Sequence, residues 1–412
     1  MTCRALFFLI ACLTVASAPV ALGAEPGKEM PWWKKLPLIN RLHSGDNDAK
    51  KPSMPRLRLA EFSGGTGASA RTGLQDELLS SREFFVATHD EAVDFTLEGS
   101  SIGGRVNGRL LDKKGKQLFE RSYAAPGLDE NIKALADDVI YTITGKPGLA
   151  TSRIVFISDK SGRKQVYVCD SDGRDVQQLT HDRFAAVSPS ISPDASMIAF
   201  TSYRSGFPAV RLMDIHSGWE REVSDTPGSS AGPAFSPDGS RLALVMSFIG
   251  NPEIFVSDLN SNTAACISDS VGAAGSPSWH PDGKRIAYSN DDGSGSSIYI
   301  VEVPEKEGQS TRLFRWRTGL SGSTDPEWSP DGRQIAFTAR SSDQWVVAIK
   351  SYPSGSSRII QRGGAMHPSW SPNGRYLCYT QHGELFIHEI ATGGRRSVLK
   401  NFGRITEPRW MR

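Results

Sequence analysis

The hydrophobic and polar positions fall into a unit that recurs along most of the chain. An apolar or aromatic position is followed by a short polar turn, then by an alternating apolar run. The unit reads "PSISPDASMIAFTS" at 189–202, "PAFSPDGSRLALVM" at 233–246 and "PSWHPDGKRIAYSN" at 277–290. It returns as "PEWSPDGRQIAFTA" at 326–339 and "PSWSPNGRYLCYTQ" at 368–381. The turn Asp or Asn stands at 194, 238, 282, 331 and 373, so the period is 44, 44, 49 and 42 residues. Period-two alternation predicts strands, and a repeat in the forties made only of strands predicts a β-propeller. Each unit reads as four antiparallel strands: "PxW", then "RIAYS", then a run such as "SIYIVEV", then a weak outer strand such as "TRLFRW".

The aromatic position extends the repeat beyond the turns. Ile191, Phe235, Trp279, Trp328, Trp370 and Trp410 occupy it, and the last stands in "EPRWMR" with no turn after it. At the other end, residues 152–180 read as the second to fourth strands of a unit lacking its first. The two fragments complete one another. A six-bladed propeller over 150–412 is expected, closed by the C-terminal strand beside 154–157. Closure removes the exposed sheet edges that invite aggregation.

The turn has its own chemistry. Proline presets φ for a type I turn, Ser suits the first position, Gly the fourth, and Asp bonds local backbone N–H groups. Pro330, Asp331 and Gly332 therefore read as a corner, not a metal or catalytic set. Ala195 stands where the other copies have Gly, which predicts strain if that residue has positive φ.

Ahead of the repeat the pattern is mixed. Strands are expected at 56–62 and across 94–125, with helices at 73–84 and 128–145, the second with acidic residues in its first turn. This makes a small α/β domain over 55–149. Residues 25–54 are polar, basic and proline-punctuated and read as an arm or linker, with Trp32 and Trp33 as a candidate docking element. The run from Ala5 to Leu22 reads as a signal peptide, 1–24, with a small-residue cleavage site after Ala24. "LIAC" at 9–12 also resembles a lipoprotein signal, with a short apolar run before Cys12.

Composition then removes several function classes. Lys plus Arg is 47 against 45 Asp plus Glu, a formal charge of +2, which supplies no electrostatic case for nucleic acid. Past the leader, Cys169, Cys266 and Cys378 are odd in number and widely spaced, which argues against a disulfide framework. "GSSAG" at 228–232 matches G-x-S-x-G but has no helix after it, so Ser230 is not expected to be a nucleophile. "DSDGRD" at 170–175 begins like a Ca²⁺ loop but lacks the later ligands, and reads as a hairpin. No HExxH, phosphate loop or dinucleotide loop is present. No catalytic, cofactor or metal residue is assigned.

The join "ALADDVIYTITGKPGLATSRIVFISD" (134–159), the run "QVYVCDSDGRDVQQLT" (165–180) and the SPDG blades that follow resemble the TolB family of periplasmic Tol–Pal proteins. The resemblance covers 55–412. It implies a non-enzymatic periplasmic adaptor for envelope integrity and cell division. The propeller would bind a peptidoglycan-associated outer-membrane lipoprotein and the N-terminal region a TolA-like inner-membrane protein. Residues 25–54 depart from the family's short TolA-docking peptide. Two other readings stay open: a propeller accessory to a peptidase or hydrolase, and a carbohydrate or small-ligand binder.

A propeller docks partners through the loops at one mouth of its channel. Here those loops offer His181, Arg183, Arg204, Phe207, Phe248, Ile249, Arg340 and His382 as candidate contacts. Apolar anchors beside Arg match the composition of interface centres. Phe207 and Phe248 are alternatively expected to cap the blades internally.

Overall fold

The computed structural model describes residues 54–411 apart from 82, 88–90, 224–227, 248–249, 262, 270 and 305–310. The expected leader and arm, including Trp32 and Trp33, lie outside the described residues. So do Phe248 and Ile249.

Six four-stranded antiparallel sheets follow one another in chain order. Blade 1 is formed by Arg153–Ser158, Gln165–Asp170 and Gln177–Gln178, with Ile405–Trp410 as its inner strand. That C-terminal strand pairs antiparallel with Arg153–Ser158, placing Ile405 opposite Ser158 and Trp410 opposite Ile154. Blades 2 to 6 begin at Ala186, Ser229, Ala273, Ser321 and Ala365.

One expectation is corrected here. Trp328 ends its inner strand, Ser321–Trp328, instead of starting it. The earlier residues, "SGSTD", hide the strand because it lines the channel and carries no apolar alternation. Each inner strand also breaks register before its Pro. The preceding residues Ser188, Ser276, Asp325, His367 and Glu407 all take φ between 48° and 54°, and Gly232 takes 58°.

The turn is built from its own side chains. Ser329 Oγ donates to Asp331 Oδ1 at 2.6 Å and accepts Gln334 N–H at 2.9 Å. Asp331 Oδ1 also accepts Arg333 N–H at 3.0 Å. The same set recurs at Ser192/Asp194, Ser236/Asp238 and Ser371/Asn373. Burial pushes the Asp194, Asp238 and Asp331 carboxyls up, but these hydrogen bonds outweigh it and hold them below the usual range. Gly332 has φ +70°, and a Cβ there would strike the His280 ring. Ala195 takes φ 59° in the corresponding position. Left-handed backbone costs an L-residue about 1–2 kcal/mol. Ala195→Gly is therefore expected to stabilise the protein by about 0.5–1 kcal/mol after the unfolded-state entropy of Gly is offset. Chemical denaturation measures it; a loss of stability would count against a strained corner.

The small domain is a five-stranded sheet with two helices on one face. Its strands are Arg56–Ser63, Phe85–Val86, Phe95–Ile102, Arg105–Asp112 and Gln117–Tyr123. The first helix spans Gly67–Ser81, not 73–84. It starts earlier because Ala70, Leu74 and Leu78 already form a buried i, i+4 stripe, and it stops before Phe84, which enters the core on the way to the edge strand. The second helix, Leu128–Thr144, carries Asp129 and Glu130 in its first turn and ends at Gly145, φ 71°. Leu57, Leu97, Leu110, Leu74 and Leu135 form a core separate from the blades.

Candidate functional site

Successive antiparallel strands alternate direction, so the SPDG turns and the outer hairpins share one face of the ring. The loops between second and third strands, and those between blades, share the other. The small domain occupies the turn face. Arg375, just after the Asn373 turn, donates to Ser81 O at 2.7 Å, to Glu83 Oε1 at 2.6 Å and to Glu389 Oε1 at 2.8 Å. Lys133 on the second helix meets Asp170 at 2.6 Å. Asp170 opens the 170–175 hairpin, where Gly173 N–H returns to Asp170 O at 2.9 Å, so this segment is a turn that serves a domain contact. Asp137 pins the connection by accepting Ala150 N–H and Thr151 N–H, each at 2.8 Å. A cleft of about 320 Å³ lies between the domains, lined by Glu77, Lys133, Arg174, Arg396, Tyr376 and Trp410 among others.

The channel mouth on the same face is a cavity of about 300 Å³, walled by Ser190, Ser278, Glu327, Ser369 and Arg409. Ser190, Ser278, Glu327 and Ser369 each latch their blade to the next. Ser190 Oγ accepts Phe235 N–H at 3.1 Å, Ser278 Oγ accepts Trp328 N–H at 3.3 Å, and Ser369 Oγ accepts Trp410 N–H at 3.0 Å. Glu327 takes the place of Ser in blade 5. Its Oε1 accepts Trp370 N–H at 3.1 Å and Ser369 Oγ–H at 2.9 Å, and its Oε2 meets Arg409 at 2.7 Å. Sequence reading missed this latch. The signal was present as the residue between Pro and the next apolar position, Ser190, Ser278, Glu327 and Ser369, but a polar residue there looks like ordinary strand.

The opposite face is free of the small domain. Loops 180–185 and 203–208 are joined on it by Tyr203 N–H to Ala185 O at 3.2 Å. They present Phe184, Tyr203 and Phe207 at 43%, 40% and 51% exposure. Phe207 is thus solvent-facing and does not cap the blade from inside; the aliphatic core beneath is complete without it. His181 and Arg183 are exposed in the same loops. Arg204 pairs with Asp182 at 2.5 Å and reaches Glu220 at 3.4 Å. Burial raises the Asp182 carboxyl, but the Arg204 guanidinium outweighs it and holds the group low. Arg340 lies farther round, on blade 5, its guanidinium 5.7 Å from the Trp345 ring centroid. His382 is exposed at φ 53° in a hairpin of blade 6. The first four candidates share one sector; Arg340 and His382 belong to others. Phe184 and Tyr203 were not anticipated, since an aromatic beside a strand normally enters a core.

Ser230 lies within the strand Ser229–Phe235, not in the loop before it, and is buried. Its Oγ accepts Val210 N–H at 2.9 Å, a structural bond with no base beside it. Cys169 and Cys378 are buried and Cys266 half-buried, and none of the three forms a disulfide among the described residues. Burial pushes the Cys169 thiol up to about 12. Among the described residues no group of three or more His, Cys, Asp or Glu could hold a metal ion. Among them, too, no helix is long and apolar enough to cross a membrane.

Residues 140–412 match the family model of the TolB beta propeller domain. A protein named TolB homolog from Chlorobium chlorochromatii is 41% identical over 104 residues, which is 24% of this chain and 23% of that protein. The Tol-Pal system protein TolB of Geobacter sulfurreducens is 33% identical over 103 residues, again 24% of this chain and 23% of that protein. These matches span under a quarter of the length of either relative. The crystal structure of TolB from Acinetobacter baumannii aligns over 87% of this chain and 97% of its own, with a TM-score of 0.70 at 23% identity, and shares the fold.

Proposed function

The chain belongs to the TolB beta propeller domain family, and on that premise we propose that it is a non-enzymatic adaptor of a Tol–Pal-like system in the periplasm. Its free face binds a peptidoglycan-associated outer-membrane lipoprotein. Its N-terminal region, including the Trp32–Trp33 pair, links to a TolA-like inner-membrane protein, so that the chain serves envelope integrity and cell division. The observation that carries the reading is the division between faces. One is committed to the small domain through Arg375 and Lys133, while the other exposes Phe184, Tyr203 and Phe207 beside Arg183 and Arg204. Large aromatic side chains next to Arg are what a binding hot spot is made of.

The test is capture of the lipoprotein's soluble domain by the folded protein at about 10–50 μM. Binding is expected; none at that concentration would sink the reading. Phe184→Ser with Phe207→Ser is expected to weaken binding at least about tenfold, since each removes a large apolar contact. The melting temperature should change little. If the double variant fails to fold, the two rings belong to the core and the docking surface lies elsewhere.

A further inference from the structure

The exposed charges on the free face are sorted by sector. Lys160, Arg163 and Arg183 stand exposed on blade 1 and on its connection to blade 2, and Arg404 on the connection from blade 6. Arg362 adds to them on the connection into blade 6. Arg163 and Arg362 spend hydrogen bonds on neutral acceptors, Arg183 O and Ser341 Oγ, so these bonds leave their charge uncompensated. Of the carboxylates inside this sector, Asp182 is held by Arg204, whereas the exposed Asp159 accepts the neutral Arg404 N–H at 2.7 Å, keeps its charge and is outnumbered by the cations. Blade 4 lies directly across the ring from blade 1. There Asp291 and Asp292 are exposed, with Asp269 on the connection leading in, but Arg315 on the outer strand and Arg317 on the connection leading out are exposed as well, so the charges of that sector are mixed. The formal charge of +2 conceals the gathering of cations around blade 1.

We infer that the free face docks an acidic surface of its partner on the sector of blades 6, 1 and 2, with Phe184 and Phe207 as the apolar anchors. This rests on the adaptor reading above and specifies the chemistry it requires. A face whose positive charge is gathered in one sector steers an acidic surface toward that sector. The anchors lie within the basic sector because loops 180–185 and 203–208 carry both, so electrostatic approach delivers the partner to its apolar contact.

The probe is the soluble domain of the peptidoglycan-associated lipoprotein from the same organism. Its affinity for the full folded chain is measured by calorimetry between about 50 and about 500 mM salt, a range over which the screening length shortens to a few ångströms. The dissociation constant is expected to rise at least about tenfold across that range. Arg183→Glu with Arg404→Glu should weaken binding at least about tenfold at low salt. Lys114→Glu with Lys116→Glu, in the small domain's hairpin, changes net charge equally and should leave affinity within about threefold. Circular dichroism confirms that each variant is folded. Tight binding that ignores both salt and the Arg183/Arg404 reversal overturns this inference and leaves the adaptor reading standing. No binding by the wild-type chain at any salt overturns that reading, and this one with it. Charge-dependent capture by anionic phospholipid vesicles in place of the lipoprotein domain would assign the basic sector to a membrane and overturn the inference as well.

Discussion

Deleting residues 407–412 is expected to lower the melting temperature by more than about 10 °C, or to prevent folding outright. The six residues complete blade 1. They include most of the strand Ile405–Trp410, whose pairing with Arg153–Ser158 joins the two ends of the propeller. Trp410 is buried, and losing a buried Trp side chain alone costs about 3–5 kcal/mol. The truncation also exposes both the edge of Arg153–Ser158 and the flank of blade 6, adding an unpaired inner edge to the outer edge that every blade already carries. Removing residues 25–30 instead should leave the melting temperature within about 2 °C, because these lie ahead of every described element. Equal melting temperatures for the C-terminal truncation and the intact chain would refute closure as the source of ring stability.

Glu327→Ala is expected to cost about 3–5 kcal/mol, measured as a shift in the denaturant midpoint. The magnitude comes from what the substitution leaves behind. Trp370 N–H and Ser369 Oγ–H lose their acceptor, and the Arg409 guanidinium loses its carboxylate, all in a wall of the channel. Breaking a half-buried ion pair from one side is expensive because the remaining charge stays desolvated. Arg409→Ala should be nearly as damaging, and the double variant less damaging than the sum, with a coupling of about 1–3 kcal/mol. Glu327→Gln keeps an acceptor for Trp370 N–H and loses only the charge, so its cost should fall between wild type and Glu327→Ala. A Glu327→Ala protein with unchanged stability would make the residue a channel-facing ligand group instead of a clamp.

Both predictions concern one joint, and the two halves of that joint differ in how far the sequence reveals them. The closing strand is readable because Trp410 repeats the aromatic position of five other blades and because 152–180 lacks a first strand. The clamp is not. Glu327 and Arg409 are far apart in the chain, and neither residue type at those positions departs from what an exposed strand would carry. The inner strands reach further back from the aromatic position than the pattern shows, as Trp328 at the end of Ser321–Trp328 illustrates. Channel-lining positions lack the apolar run that marks a strand packed on both faces. In the small domain the first helix was set six residues late, since glycine and polar residues at its start conceal the Ala70–Leu74–Leu78 stripe. The docking candidates divide likewise. His181, Arg183, Arg204 and Phe207 follow from knowing which loops share a mouth. Phe184 and Tyr203 are visible only once the structure leaves their rings outside the core.

What the sequence determined alone is the local and the periodic. Ser329 and Asp331 close their hydrogen bonds within five residues, so the corner is written wherever the tetrapeptide occurs, and its repetition marks five of the six blades. Ala195 could even be marked as strained, because the requirement for positive φ belongs to the turn itself. What only the tertiary structure decided is the relation between corners. Ring closure brings Glu327 to Arg409 and lays the small domain across the turn face through Arg375. It gathers the basic loops of blades 6, 1 and 2 into one sector. Those arrangements depend on the angle and radius at which six sheets pack, a quantity summed over the whole ring and carried by no single segment of it.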